Sequence, residues 1–159
     1  MVITNASLLW HDDVRGDLLA ADLVSLKVDA VSFDLWMRVN RPHKGLRLDM
    51  ILDGIRQFTR IFKGVLVSET MLIDNMDYGD EFERIAIFLG GLAKLDKAYI
   101  AIPTRPPAEK WVKPAREKTV NAVFQIFAKR LGNDRVEYLI GYEGDALPLQ
   151  AMLGRICLA

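Results

Sequence analysis

The chain has 159 residues, 51% of them hydrophobic, with 21 lysines and arginines against 21 aspartates and glutamates. That length suits a single domain over residues 1–159, and the apolar fraction argues against disorder and for buried strands. Balanced charge supplies no long-range field of one sign, which argues against DNA and an anionic membrane as partners and leaves RNA only through a local basic patch.

Cys157 is the only cysteine. One thiol supports neither a disulfide framework nor a clustered zinc or iron–sulfur site within one chain. The opening MVITNASLLW has no basic leader, and no run approaches the ~18 apolar residues of a membrane span, so a cytoplasmic location is expected.

In chain order, Val2-Ile3 reads as a short strand ending at Thr4-Asn5. Asp12 and Asp13 favour the first turn of a helix over Val14 to Ala21, with Leu18 and Leu19 inward. A strand follows over Leu23 to Ala30. Ser32 can cap a short helix with Phe33, Trp36 and Met37 buried, stopped by Pro42. Leu48, Ile51, Leu52, Ile55, Phe58 and Phe62 have amphipathic-helix spacing, and Lys63-Gly64 ends that helix. Then come a strand over Val65 to Leu72, a polar loop to Gly79, and a helix carrying Phe82, Ile85, Ala86 and Leu89. Ala98 to Ile102 is the next strand, followed by a proline-rich loop and a helix marked by Val120, Val123, Phe124, Phe127 and Leu131. Val136 to Tyr142 reads as a last strand, and a short helix is expected over Leu149 to Ile156.

About five apolar strands alternating with helices predict an α/β fold with a mostly parallel sheet, either a doubly wound open sheet or an arc of a β/α (TIM-like) barrel. Both architectures place ligands at the carboxyl ends of the strands. No glycine-rich turn follows a strand and no GKS or GKT is present, so Rossmann and Walker-type sites are disfavoured.

The polar strand ends are the candidate site. Thr4, Asn5 and Ser7 form either a hydrogen-bonded turn or a ligand contact. Lys27 and Asp29, two apart on one strand, share a face and are either a structural ion pair or pocket-lining groups. Glu69 in VLVSETML needs a partner or a polar cavity, while Met71 suits the core or the face of a planar ring. His43 in RPH and His11 have no zinc-like spacing. Thr104 and Arg105 leave their strand just before Pro106-Pro107, which restrict the backbone and preorganise a guanidinium suited to a carboxylate or phosphate. Trp111 either roofs a pocket or anchors the loop.

Taken in order, VITNASLL, ADLVSLKVDA, NRPH, ETML, PTRPPAEKWVKP and GYEG resemble the later part of radical S-adenosylmethionine proteins of the Fe-S oxidoreductase-like group, over about Val2 to Gly144. The resemblance implies a partial β/α barrel in which three cysteines after the first strand hold a 4Fe-4S cluster that cleaves S-adenosylmethionine to a 5'-deoxyadenosyl radical. It implies that this chain corresponds to the carboxyl-side portion of that core, from the third strand onward, without the CxxxCxxC triad, and so is inactive by itself. By the same resemblance Asn5, Ser7, Lys27, Asp29, Glu69 and Met71 line the cofactor cavity, and Thr104 and Arg105 face cofactor or substrate. Two alternatives stand beside it: a cluster-independent barrel enzyme using Lys27, Asp29 and Glu69, and a non-catalytic small-molecule binding or assembly module. An arc of a barrel leaves an unpaired strand edge, so a homodimer through that edge is expected.

Overall fold

The computed structural model describes residues 1–139. The strands are β1 (Val2–Thr4), β2 (Leu23–Lys27), β3 (Val65–Met71), β4 (Lys97–Ala101) and β5 (Val136–Leu139). The helices are α1 (Asp12–Leu18), α2 (Phe33–Val39), α3 (Leu48–Ile61), α4 (Glu81–Gly90) and α5 (Glu117–Leu131), with a single 3-10 turn at Asn133–Arg135. All four strand pairings are parallel and the spatial order is β1-β2-β3-β4-β5, the sequence order itself. Parallel neighbours require a crossover, and each crossover here carries helix that covers the sheet. The result is the expected barrel-like α/β arc; its sequential order excludes the doubly wound alternative, whose strand order reverses partway.

Period-two alternation splits every strand between two faces. Val24, Leu26, Leu66, Ala98, Ile100 and Val136 face the helices and join one continuous core with Ile55, Phe58, Ile85 and Phe127. Leu23, Val67 and Tyr99 face the other way and form a separate small cluster with Val65 and Leu139. This second face is the concave, barrel-interior side. Register places Lys27 directly beside Glu69, so two opposite charges meet at the upper end of that face.

The elements differ from expectation in local ways. On α2 the buried residues are Leu35 and Trp36, whereas Phe33 and Met37 are exposed. A seven-residue helix offers two apolar stripes, Phe33 with Met37 and Leu35 with Val39, two residues apart, and packing selected the one that brings Leu35 and Val39 under the core. Leu19, expected inward, is the exposed residue that ends α1. Val28 continues the ladder beyond β2 by donating its N–H to the Glu69 carbonyl at 2.9 Å. The expected helix over Leu149 to Ile156, and the end of the last strand beyond Leu139, lie outside the described residues.

Two backbone details are fixed by positive φ or close approach. Ala6, buried in the loop after β1, has φ of 61°, and α3 presses against that loop at Gly54. A Cβ at Gly54 would fall 2.5 Å from the Leu9 carbonyl carbon, so only glycine permits the approach. The second is Arg41, with φ of 45°, immediately before Pro42.

Candidate functional site

The ends of β2 and β3 converge on one buried carboxylate. Asp29, 7% exposed, accepts three hydrogen bonds. Its Oδ1 receives Lys27 Nζ at 2.9 Å and the Met71 N–H at 2.8 Å, and its Oδ2 receives Asn40 Nδ2 at 2.9 Å. The Met71 N–H lies just past the β2–β3 ladder and has no strand partner on that side, so the carboxylate takes the place of a missing backbone acceptor. Lys27 turns the other way as well, reaching Glu69 Oε1 at 3.2 Å. One ammonium thus joins two carboxylates, with side-chain exposures of 21% for Lys27, 6% for Asp29 and 17% for Glu69.

Such an arrangement meets the requirement that buried charges be paired and hydrogen-bonded. It also leaves the cluster one negative charge in excess, at the mouth of the concave face. Behind it lies a cavity of about 20 Å³ between Asn5, Lys27, Asp29 and Asn40, about the room one water needs. Below it the concave face is apolar: Ile3, Leu23, Val67, Tyr99 and Leu139 border a further cavity of about 40 Å³ that Glu69 overhangs. Tyr78 stands close by; burial holds its phenol above the ordinary range, and the negative charge of Asp29 adds to the effect, against the Ile73 N–H that its oxygen accepts.

The remaining sequence candidates are spread around this centre. Asn5 Oδ1 accepts the Ser7 N–H at 3.0 Å, and Thr4 Oγ1 accepts the Ala6 N–H at 3.1 Å, so these side chains shape the turn after β1 while Asn5 also borders the small cavity. Met71 lies half-buried at the end of β3. Thr104 and Arg105 are exposed on the loop after β4, apart from the Lys27 cluster. His43 Nδ1 accepts the Gly45 N–H and the His11 ring packs at a tilt against Trp10, so both histidines make local contacts.

Several site residues escaped sequence reasoning. Asn40 completes the coordination of Asp29 from the C-cap of α2, eleven residues away, and no periodicity signals that contact. Arg41 Nη1 donates to Glu109 Oε1 at 2.6 Å, tying the α2–α3 loop to the proline-rich segment across 68 residues of sequence. Trp111, at 47% exposure, borders a larger cavity together with Asp29 and Met71, which favours the roofing role over simple anchoring.

Sequential parallel strands under helices give this chain a fold similar to that of a radical SAM methyltransferase from Sphaerobacter thermophilus. The TM-score is 0.64 at 18% identity, covering 90% of this chain and 40% of that one. SuiB of Streptococcus suis, solved bound to S-adenosylmethionine, matches with a TM-score of 0.60 at 14% identity over 87% of this chain and 32% of its own. In sequence, a UPF0026 protein of Methanocaldococcus jannaschii is 41% identical over 145 residues, 91% of this chain and 45% of that protein. The chain therefore spans less than half the length of that curated relative. No protein-family model matches the chain.

A 4Fe-4S cluster needs several thiolates, whereas the chain has one cysteine, at position 157, and no group of three metal-binding side chains occurs among the described residues. The donors here do not fit the cluster. Glu69 stands as a carboxylate at the mouth of the apolar concave face, whereas both oxygens of Asp29 already accept hydrogen bonds. Among the described residues no helix is long and apolar enough to cross a membrane.

Proposed function

We propose that this chain is the small-molecule binding part of a β/α barrel of the radical S-adenosylmethionine type, a single domain that holds the organic cofactor and supplies no cluster ligand of its own. Radical generation would then belong to a whole protein in which other residues bring the cluster. The observation that carries the reading is the Lys27–Asp29–Glu69 cluster, fixed at the carboxyl ends of two adjacent parallel strands, where barrels place their ligands. Its excess negative charge suits the ammonium and sulfonium of S-adenosylmethionine, and Lys27 suits a ligand carboxylate. Asn5, Ser7 and Met71 would complete the cofactor wall, with Thr104 and Arg105 serving ligand groups that extend outward.

Calorimetric titration of the chain with S-adenosylmethionine tests this. Saturable binding is expected, weakened roughly tenfold or more in Glu69→Gln, as suits loss of a charge-assisted contact. Absence of binding at millimolar ligand would reject the reading. The ammonium flanked by two acids also favours one second reading, a cluster-independent enzyme with Lys27 as an imine-forming amine. Borohydride trapping of a carbonyl compound at Lys27 would bring that reading forward.

A partner is part of the proposal. Among the described residues β1 pairs only with β2, and Ile3 beside its free edge is 58% exposed, a combination that invites another strand. A homodimer through that edge is expected to sediment at twice the monomer mass at micromolar concentration.

A further inference from the structure

The larger cavity beside the ion cluster is walled from three sides. Asp29, Met71 and Ile73 supply the strand-end side, Arg38 comes from the last turn of α2, and the Pro107–Val112 segment, with Trp111, closes the far side. Its volume is about 190 Å³. The space opens to solvent, since Arg38, Arg41, Pro107, Ala108 and Trp111 are exposed, and its volume is below the ~300 Å³ at which sites for drug-sized molecules start, so it suits one ring with a short substituent.

Charge then selects the substituent. Both oxygens of Asp29 are already occupied by Lys27, the Met71 N–H and Asn40. Glu109 is occupied by Arg41 at 2.6 Å, a pair that straps the α2 wall to the proline-rich wall while Arg41 adopts a left-handed backbone that arginine seldom takes. Arg38, exposed at the rim of the cavity, has no ion pair or hydrogen bond with the described residues. It is therefore the one lining charge without a counter-charge among the described residues. A guanidinium in that position presents a planar fork to a carboxylate, and the indole of Trp111 and the thioether of Met71 offer surfaces to a ring.

We infer that this cavity binds a small aromatic monocarboxylate, with its carboxylate on Arg38 and its ring against Trp111 and Met71. The inference deepens the proposed function by naming the class of second ligand, and rests on that reading only for calling the compound a substrate. Benzoate is the probe, titrated calorimetrically into the 159-residue chain, with benzamide as its uncharged isostere. Benzoate is expected to bind at one site, with benzamide roughly tenfold weaker and Arg38→Gln lowering benzoate affinity by a similar factor. Trp111→Ala is expected to weaken both probes together, since it removes the ring contact and leaves the charge in place. Equal affinity for benzoate and benzamide, an Arg38→Gln variant that binds benzoate like the parent, or no benzoate binding at millimolar concentration overturns the inference. S-adenosylmethionine is titrated in parallel: binding of that cofactor without benzoate defeats this inference alone, and binding of benzoate without it defeats the proposed function alone.

Discussion

The two faces of one sheet have been put to opposite uses. On the convex face, residues such as Leu26, Leu66 and Ile100 are fully buried under helices, and the strands place no charge there. On the concave face lie all the charged residues of the five strands, Lys27, Glu69, Lys97 and Glu137, paired as Lys27 with Glu69 and Lys97 with Glu137. The same strands serve both, because alternate residues point oppositely. One face is spent on stability, which leaves the other free to carry polar groups that a ligand can use.

Removing the centre of the concave cluster is expected to produce the largest effect. Asp29→Ala strands Lys27, the Met71 N–H and Asn40 together, and loss of one member of a buried ionic group typically costs about 3–5 kcal/mol. Lys27 keeps Glu69 at 3.2 Å, so a value near ~3 kcal/mol at the lower end is expected by urea unfolding. Glu137→Gln provides the contrast. Its pair with Lys97 has side-chain exposures of 34% and 45% and is expected to contribute about 0–1 kcal/mol after solvent screening, while glutamine keeps an acceptor for the Tyr99 hydroxyl that Glu137 also meets. Similar losses for both variants would erase the distinction between a built site and an ordinary surface pair.

Part of this division was legible in the sequence: the two-residue spacing of Lys27 and Asp29 places them on one face, where they form an ion pair. Helices α3, α4 and α5 were legible for the same reason, being long enough for 3.6-residue periodicity to be unambiguous. α2 was not, since over seven residues the stripe through Phe33 and Met37 competes with the one through Leu35 and Val39. The contacts that complete the site are between strand ends and distant loops, as with Asn40 on Asp29 and Arg41 on Glu109. Pairings across 11 and 68 residues depend on where the chain folds back, and no local spacing encodes that.

A smaller test exploits the apolar part of the concave face. Burial pushes the Tyr99 phenol up to about 12, with the charge of Glu137 and its hydrogen bond adding to the effect. An unfolded tyrosine ionises near pH 10, so the native state holds this proton more tightly. The resulting stability is present in full below pH ~10 and is lost as pH rises from there to about 12, because the unfolded chain gains the phenolate first. Tyr99→Phe lacks this dependence. The difference in unfolding free energy between parent and variant should be flat from pH 7 to 9 and then shift against the parent by up to ~2 kcal/mol. A difference that stays flat through pH 12 would mean that water reaches Tyr99 freely and that the lower concave face is not an apolar surface.

Effects of about 1 kcal/mol or less are expected on the convex face, where two hydroxyls are buried. Ser68 and Thr70 are both fully buried among apolar residues, and Thr70 resolves its burial by donating its hydroxyl to the Val28 carbonyl at 2.8 Å. The Ser68 hydroxyl has no hydrogen-bond partner among the described residues. A buried hydroxyl without a partner is unfavourable by about 1–3 kcal/mol, whereas the small void left by its oxygen offsets part of any gain from removing it. Ser68→Ala is therefore expected to raise stability by ~0.5–1 kcal/mol, and Thr70→Val to lower it by about the ~1 kcal/mol of a typical buried hydrogen bond. Opposite signs for two hydroxyls on adjacent convex positions of β3 would show that this face tolerates polarity only when the backbone accepts it. If Ser68→Ala instead destabilised the chain by as much as Thr70→Val, its hydroxyl would have to be satisfied in solution, and the clean separation between a charge-free convex face and a polar concave one would fail at that position.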